Sequence, residues 1–525
     1  MTTSRAETAA APRQPRLSAL AARLCPPFPG SRVWGWLGPL LVTAFGTFLR
    51  FDRLTMPPSI IFDETYYVPD ALGILKYGTE HNYIAHRNAL LARGDSHIFT
   101  KGGEFVAHPP FGKEMIAAGE WLFGLHPFGW RFTVAVVGSL SILMTARIAR
   151  RMTRSTLLGC VAGLLLSLDG LEFVMSRTAL LDIFVMFWAL AAFGCLLIDR
   201  DQGRARLAEA MRRRLPDDAG PYLGVRWWRV LAGICVGLAT ASKWNGVWYV
   251  PAFALLALAW DIGARRAAGV PRWLWGGLVR DGRWLLATLA ALPVVTYIAA
   301  WGNWLFTSTG YDRNWAALHG DHTPVVSALV SLFEYNKAIL HFDATLTTHH
   351  PYESQPWTWL VISRPVSLYY EAPTLGHSGC HTTKALGSCS QEVLAIGTPM
   401  IWWVSIATLV ICLAWWLTQR DWRAGAVLLG TAAGLLPWFL FLSRTKFYFY
   451  SVAFVPFLVL SITLCLGLLL GPARAGPVRR AAGAAVTGAY LLAVMLNFYY
   501  LYPVLSGQVI PYHSWLARMW FSSWI

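Results

Sequence analysis

The run Phe447–Leu470, FYFYSVAFVPFLVLSITLCLGLLL, contains no charged residue. As a helix rising about 1.5 Å per residue it is long enough to cross the roughly 30 Å hydrocarbon core of a bilayer. It belongs to an apolar segment over about 446–470, and ten more such segments lie at about 33–50, 130–149, 156–170, 180–198, 228–243, 246–261, 284–305, 396–417, 424–442 and 482–501. This pattern predicts an all-α integral membrane protein, a polytopic bundle of about eleven transmembrane helices. Composition points the same way. The 525 residues are 55% hydrophobic and 14% charged, where a soluble globular chain carries about a quarter charged residues. The 27 Trp and 19 Tyr suit a class whose amphipathic rings favour the membrane interface.

The net charge of +16 would suggest a nucleic-acid partner in a soluble chain, but here it falls in the connections and reads as topology. Arg147, Arg150, Arg151 and Arg154, the run Arg212-Arg213-Arg214, Arg265 and Arg266, and Arg479 and Arg480 crowd short connections on one side. The long loops at about 51–129 and 306–395 are sparse in basic residues. Positive charge is retained inside, so the N-terminus is expected inside, the C-terminus outside, and both long loops outside. The expected organisation is a disordered cytoplasmic tail over 1–32, an N-terminal transmembrane module over 33–305 carrying loop 51–129, an outer loop over 306–395, and a C-terminal four-helix region with an outer tail over 396–525. The absence of a visible inverted repeat argues mildly against a transporter. With no phosphate-cradling glycine loop or nucleotide fingerprint, an outward-facing enzyme would need an activated donor delivered in the lipid.

Chemistry-bearing residues gather on the outer side. Asp63 and Glu64 open the first loop, and neighbours in sequence point in different directions, which suits two separate roles. His108-Pro109-Pro110 is a rigid turn leading into an amphipathic stretch from Lys113 to Phe123 suited to the membrane surface. Arg131 stands at the outer end of the second span, and Arg444 and Lys446 lie between the ninth and tenth, where cations suit a lipid phosphate. From the residues alone, each also has a plainer reading as a solvated loop start, a helix stop or a snorkelling anchor. Glu172, Arg177 and Asp182 share a short outer segment and are expected to pair with one another. The histidines of the second loop are irregularly spaced, so no metal site is expected. Cys380 and Cys389 lie together in a polar loop, where an outer location makes a disulfide plausible.

Several of these blocks resemble the protein O-mannosyltransferase family in its actinobacterial form: Phe62-Asp63-Glu64, His108-Pro109-Pro110 with Gly112-Lys113, Arg131, Ser176 to Asp182, Ser242-Lys243-Trp244, His350 to Trp357, and Arg444 to Tyr450. The likeness covers nearly everything after residue 45. It implies a GT-C type bundle that transfers mannose from polyprenyl-phosphate mannose to Ser/Thr hydroxyls of exported proteins at the outer face of the cell membrane. It carries the catalytic acidic pair to Asp63 and Glu64 and the donor-side arginine to Arg131, more weakly to Arg50. With these come Arg444 and Lys446 as further donor-phosphate ligands, and His108, Lys113, Tyr352 and Trp357 as substrate-positioning residues. The soluble β-trefoil insert of eukaryotic members is absent, so acceptor selection falls to the loops. Asp63 is expected to be the general base of an inverting transfer. No cofactor or metal is expected, the lipid-linked sugar being a substrate; membrane lipids and export machinery are expected neighbours. The alternatives are a related GT-C enzyme acting on a lipid or polysaccharide acceptor, and a transporter.

Overall fold

The structure, a computed structural model, describes residues 15–26, 31, 33–213, 217–376, 379–380, 388–472 and 475–525. Its helices begin with α1 (Pro15–Leu24) and α2 (Trp34–Phe51). The first long loop folds into α3 (Glu64–Tyr77), the antiparallel hairpin β1 (His81–Tyr83) and β2 (Phe99–Gly103), and α4 (Phe111–Phe123). There follow α5 (Pro127–Thr153), α6 (Thr156–Ser167), the short α7 (Gly170–Met175), α8 (Asp182–Arg213), α9 (Trp227–Ser242), α10 (Trp244–Ala267) and α11 (Trp273–Ala300). The second loop holds α12 (Val326–Thr345) and strands β3 (Val366–Glu371) and β4 (Cys389–Ala395). The chain ends with α13 (Pro399–Gln419), α14 (Trp422–Leu440), α15 (Tyr448–Leu470), α16 (Pro477–Leu505) and β5 (Val509–Pro511), which completes an antiparallel sheet in the order β3-β4-β5.

All eleven apolar segments are helical, and eight of the described helices are long and apolar enough to cross a membrane. The chain is therefore a mostly helical, multi-pass membrane protein. One expectation needs correction. Part of the presumed disordered tail is ordered, Pro15–Leu24 forming α1 against α8; residues 1–14, 27–30 and 32 lie outside the described residues, as does Arg214.

Local chemistry sets the boundaries. The Asp169 and Asp421 side chains accept from backbone N–H groups at the starts of α7 and α14, satisfying donors that a helix leaves orphaned. Pro127 begins α5 at a position where a missing N–H is harmless. Gly78, at φ 80°, ends α3 in the left-handed region. Between α9 and α11 the backbones approach so closely that a Cβ on Gly233 would collide with the Thr288 carbonyl oxygen, the small-residue packing favoured in membranes.

Helix α8 carries buried acids at its start and near its middle. Its first residue, Asp182, meets Lys243. Seventeen residues on, about 25 Å along the axis, Asp199 joins a buried lattice with Asp261 of α10 and two arginines. Arg226 reaches Asp199 at 2.8 Å and Asp261 at 2.7 Å, and Arg229 reaches them at 3.0 and 2.6 Å.

Candidate active site

Three stretches far apart in sequence converge on Asp63. Phe62, at φ 45°, adopts a conformation that a bulky residue keeps only when its surroundings hold it. Its ring packs edge-on against Phe447, Phe449 and His350, with centroids 5.8, 5.6 and 6.1 Å away. The segment carrying His350 is tied to the same place: Glu353 bridges to Phe447, and Ser354 N–H donates to the Lys446 carbonyl at 2.8 Å. Asp63 follows at the start of α3, half-buried, and its side chain does not cap the helix.

Around that carboxylate stand Lys243, Asp182, Tyr67 and Tyr450. Lys243 Nζ donates to both Asp182 oxygens, at 2.9 and 3.1 Å, and lies 4.4 Å from the Tyr450 ring centroid. Burial pushes the Asp63 carboxyl up to about 6, Lys243 pulling it down and Asp182 pushing it further up. Tyr67 is buried beside Asp63, its ring 6.2 Å from that of His108. Burial, reinforced by Lys243, Arg444 and Lys113, holds the His108 imidazole well below its ordinary pKa. These effects favour the uncharged ring, and its Nδ1 is buried without a hydrogen-bond partner among the described residues.

A cavity of 740 Å³ adjoins this cluster, beginning at Trp244 next to Lys243. Its walls are apolar, including Val247, Val294, Leu329, Phe333 and Leu340, and Arg444 and Asp343 also line it. It matches in character a site for a lipid chain with an anionic head.

Other expected site residues have different partners. Glu64 is fully buried and accepts from Arg131 Nε and Nη2 at 2.8 and 2.9 Å, and from the N–H groups of Ile61 and Ala179. Arg131, also fully buried, uses its remaining donors on the carbonyls of Leu54, Pro57 and Ser59. The pair ties down the loop that presents Asp63. Arg50 is buried against Glu172, and Arg177 donates to the carbonyls of Leu49, Arg50, Asp52 and Arg53 at the end of α2. Glu172, Arg177 and Asp182 therefore do not pair among themselves as expected: Glu172 and Arg177 both meet the end of α2, while Asp182 meets Lys243 just after α9.

Lys113 is enclosed by Asp70, at 3.6 Å, and Glu80. Lys446 Nζ donates to the carbonyls of Phe441, Leu442 and Arg444 at 2.7–2.9 Å. Tyr352 is half-buried under Arg364, while Trp357 is 57% exposed beside Phe439. Cys380 and Cys389 are disulfide-bonded beside β4. Of the expected set, Asp63, His108 and Arg444 share the surroundings of Lys243 and the cavity. Asp182 and Lys243, central to the geometry, had no site role in the sequence reading; their only signal was their membership of two motif blocks.

Two family models match the chain, dolichyl-phosphate-mannose-protein mannosyltransferase over residues 99–303 and the C-terminal four-transmembrane region of protein-O-mannosyltransferase over 328–524. Curated relatives include the polyprenol-phosphate-mannose–protein mannosyltransferases of Mycobacterium tuberculosis, 40% identical over 94% of this chain and 93% of the relative, and of Corynebacterium glutamicum, 32% identical over 97% and 98%. Among solved structures, the Saccharomyces cerevisiae protein O-mannosyltransferase Pmt1–Pmt2 complex bound to the sugar donor aligns with a TM-score of 0.68 at 15% identity, covering 97% of this chain and 94% of the matched one. That likeness establishes a shared fold, while the identity and coverage of the curated relatives carry the assignment: this chain belongs to the protein O-mannosyltransferase family of membrane glycosyltransferases.

Proposed function

We propose that this protein transfers mannose from polyprenyl-phosphate mannose to Ser or Thr hydroxyls of exported proteins at the outer face of the cell membrane, with inversion at the sugar carbon. One observation carries the reading: a half-buried carboxylate, Asp63, stands beside Lys243 next to an apolar cavity that Arg444 also lines. The donor's prenyl chain lies in the cavity, and its phosphate faces Arg444 and Lys243. Asp63 takes the proton of the acceptor hydroxyl, whose oxygen attacks the sugar carbon as the bond to the phosphate oxygen breaks. The polyprenyl phosphate departs as a stable anion and needs no general acid, only cations where its charge develops. A single displacement from the opposite face inverts the centre. Arg444 and Lys243 take the anionic load, so the step as drawn uses no metal or cofactor. Glu64 and Arg131 act at one remove, holding the loop on which Asp63 stands.

The orientation consistent with this chemistry has eleven crossings, α2, α5, α6, α8–α11 and α13–α16, with the N-terminus inside and the C-terminus outside. Arginine-rich connections on the inner side support it, and acceptors would then arrive from export machinery. A direct test supplies membranes containing the protein with labelled polyprenyl-phosphate mannose and a Ser/Thr-rich peptide. Label is expected on the peptide; label found only in lipid or polysaccharide would overturn the protein acceptor.

The acidity of Asp63 adds a second expectation. A base works ionised, so transfer is expected to rise with pH through about 6 and level off above it, falling about tenfold per unit below. A rate profile for kcat/KM between pH 4.5 and 8 checks this; a flat acidic limb would remove Asp63 as the titrating base.

A further inference from the structure

Arg444 faces a carboxylate where the reading above places the donor phosphate. Its Nη2 donates to Asp343 Oδ1 at 2.7 Å, the side chains are only 11% and 16% exposed, and both line the 740 Å³ cavity. The arginine is incompletely satisfied, since Nε is buried with no hydrogen-bond partner among the described residues. The cations nearby are already matched. Lys243 and Arg444, with Lys446 beside Arg444 and tied to three carbonyls, stand against Asp63, Asp182 and Asp343, and both Lys243 and Arg444 act on Asp343. An added phosphate is poorly tolerated in so enclosed a place unless one carboxylate gives up its cation.

Asp343 is the carboxylate best placed to do so. Asp182 is buried and held through both oxygens by Lys243. Asp343 makes one hydrogen bond to Arg444, from the last turn of α12, a helix with exposed Phe333, Leu340 and Phe342. We propose that Asp343 is a placeholder for the donor phosphate: its carboxylate holds Arg444 in the donor-free enzyme, yields it when the lipid phosphate enters, and competes for it again once the sugar has left. The product, a phosphate monoester, carries more negative charge than the donor diester, so a competing carboxylate favours its discharge. Asp343 is a positioning residue acting through Arg444, and the inference rests on Arg444 being a phosphate partner.

The test measures inhibition of peptide mannosylation by undecaprenyl phosphate, a sugarless product mimic, using the purified full-length protein. Asp343→Asn is expected to lower its Ki about fivefold to tenfold, the weight of one charge-assisted hydrogen bond, and to lower the donor KM without raising kcat. Asp343→Glu should stay close to the unmodified protein, and Arg444→Ala should raise Ki. Should Asp343→Asn not yield folded protein, Asp343→Ser must give the same lowered Ki. If Arg444→Ala raises Ki but neither neutral variant at 343 lowers it, Asp343 merely orients the arginine and the placeholder role is overturned alone. If Arg444→Ala leaves Ki unchanged, the phosphate reading of Arg444 fails and takes the placeholder with it.

Discussion

Asp63→Asn is expected to lower mannosyl transfer by about 10³-fold, within the range for losing a positioned general base, while the protein still accumulates in the membrane and still binds donor. The separation of effects follows from the local structure. Asp63 does not cap α3, so an amide there removes the proton acceptor without unpairing a buried ion. Labelled transfer to a peptide, measured alongside protein level and competition by polyprenyl phosphate, checks all three parts. A variant retaining more than a few per cent of activity would require another base, with Asp182 the nearest alternative, and Asp182 is committed to Lys243.

Arg131→Ala is expected to remove folded protein from the membrane. Truncation leaves the Glu64 carboxylate buried without its cation and frees three loop carbonyls. Breaking a buried pair from one side costs about 3–5 kcal/mol, a large part of a stability of about 5–15 kcal/mol. Thermal unfolding of the detergent-solubilised variant and its expression level are the measurements. A double change, Arg131→Met with Glu64→Leu, should recover much of the loss because no uncompensated charge remains. A single variant with an undisturbed melting temperature and a raised donor KM would instead return Arg131 to the phosphate.

The two variants separate what the sequence revealed from what it concealed. The helices were legible because an uncharged run such as Phe447–Leu470 has few alternatives to a membrane helix. Asp63 stood out as a candidate because a carboxylate just beyond a span needs a reason to be there. Partnership was not. Glu64 and Arg131 are 67 residues apart, and Asp182 and Lys243 are 61 apart; nothing local to any of them states which will face the other. The sequence reading accordingly sent Arg131 to a phosphate and expected Asp182 to pair within its own segment. Lys446 illustrates the same limit, since a cation at a membrane face resembles a headgroup ligand until three carbonyls are found around its ammonium. Asp343 gave no signal at all, sitting between Phe342 and Ala344 on α12.

The Arg226–Asp199–Arg229–Asp261 lattice bears on how the molecule can move. It ties the middle of α8 to the start of α9 and the last part of α10, about 25 Å along α8 from Asp182, with every member nearly sealed from water. Alternating access would have to shear those helices apart on that side, exposing four ions in turn to hydrocarbon. With the helices fastened there, the proposed exchange of lipid-borne sugar and polypeptide is expected on the Asp63 side of the bundle.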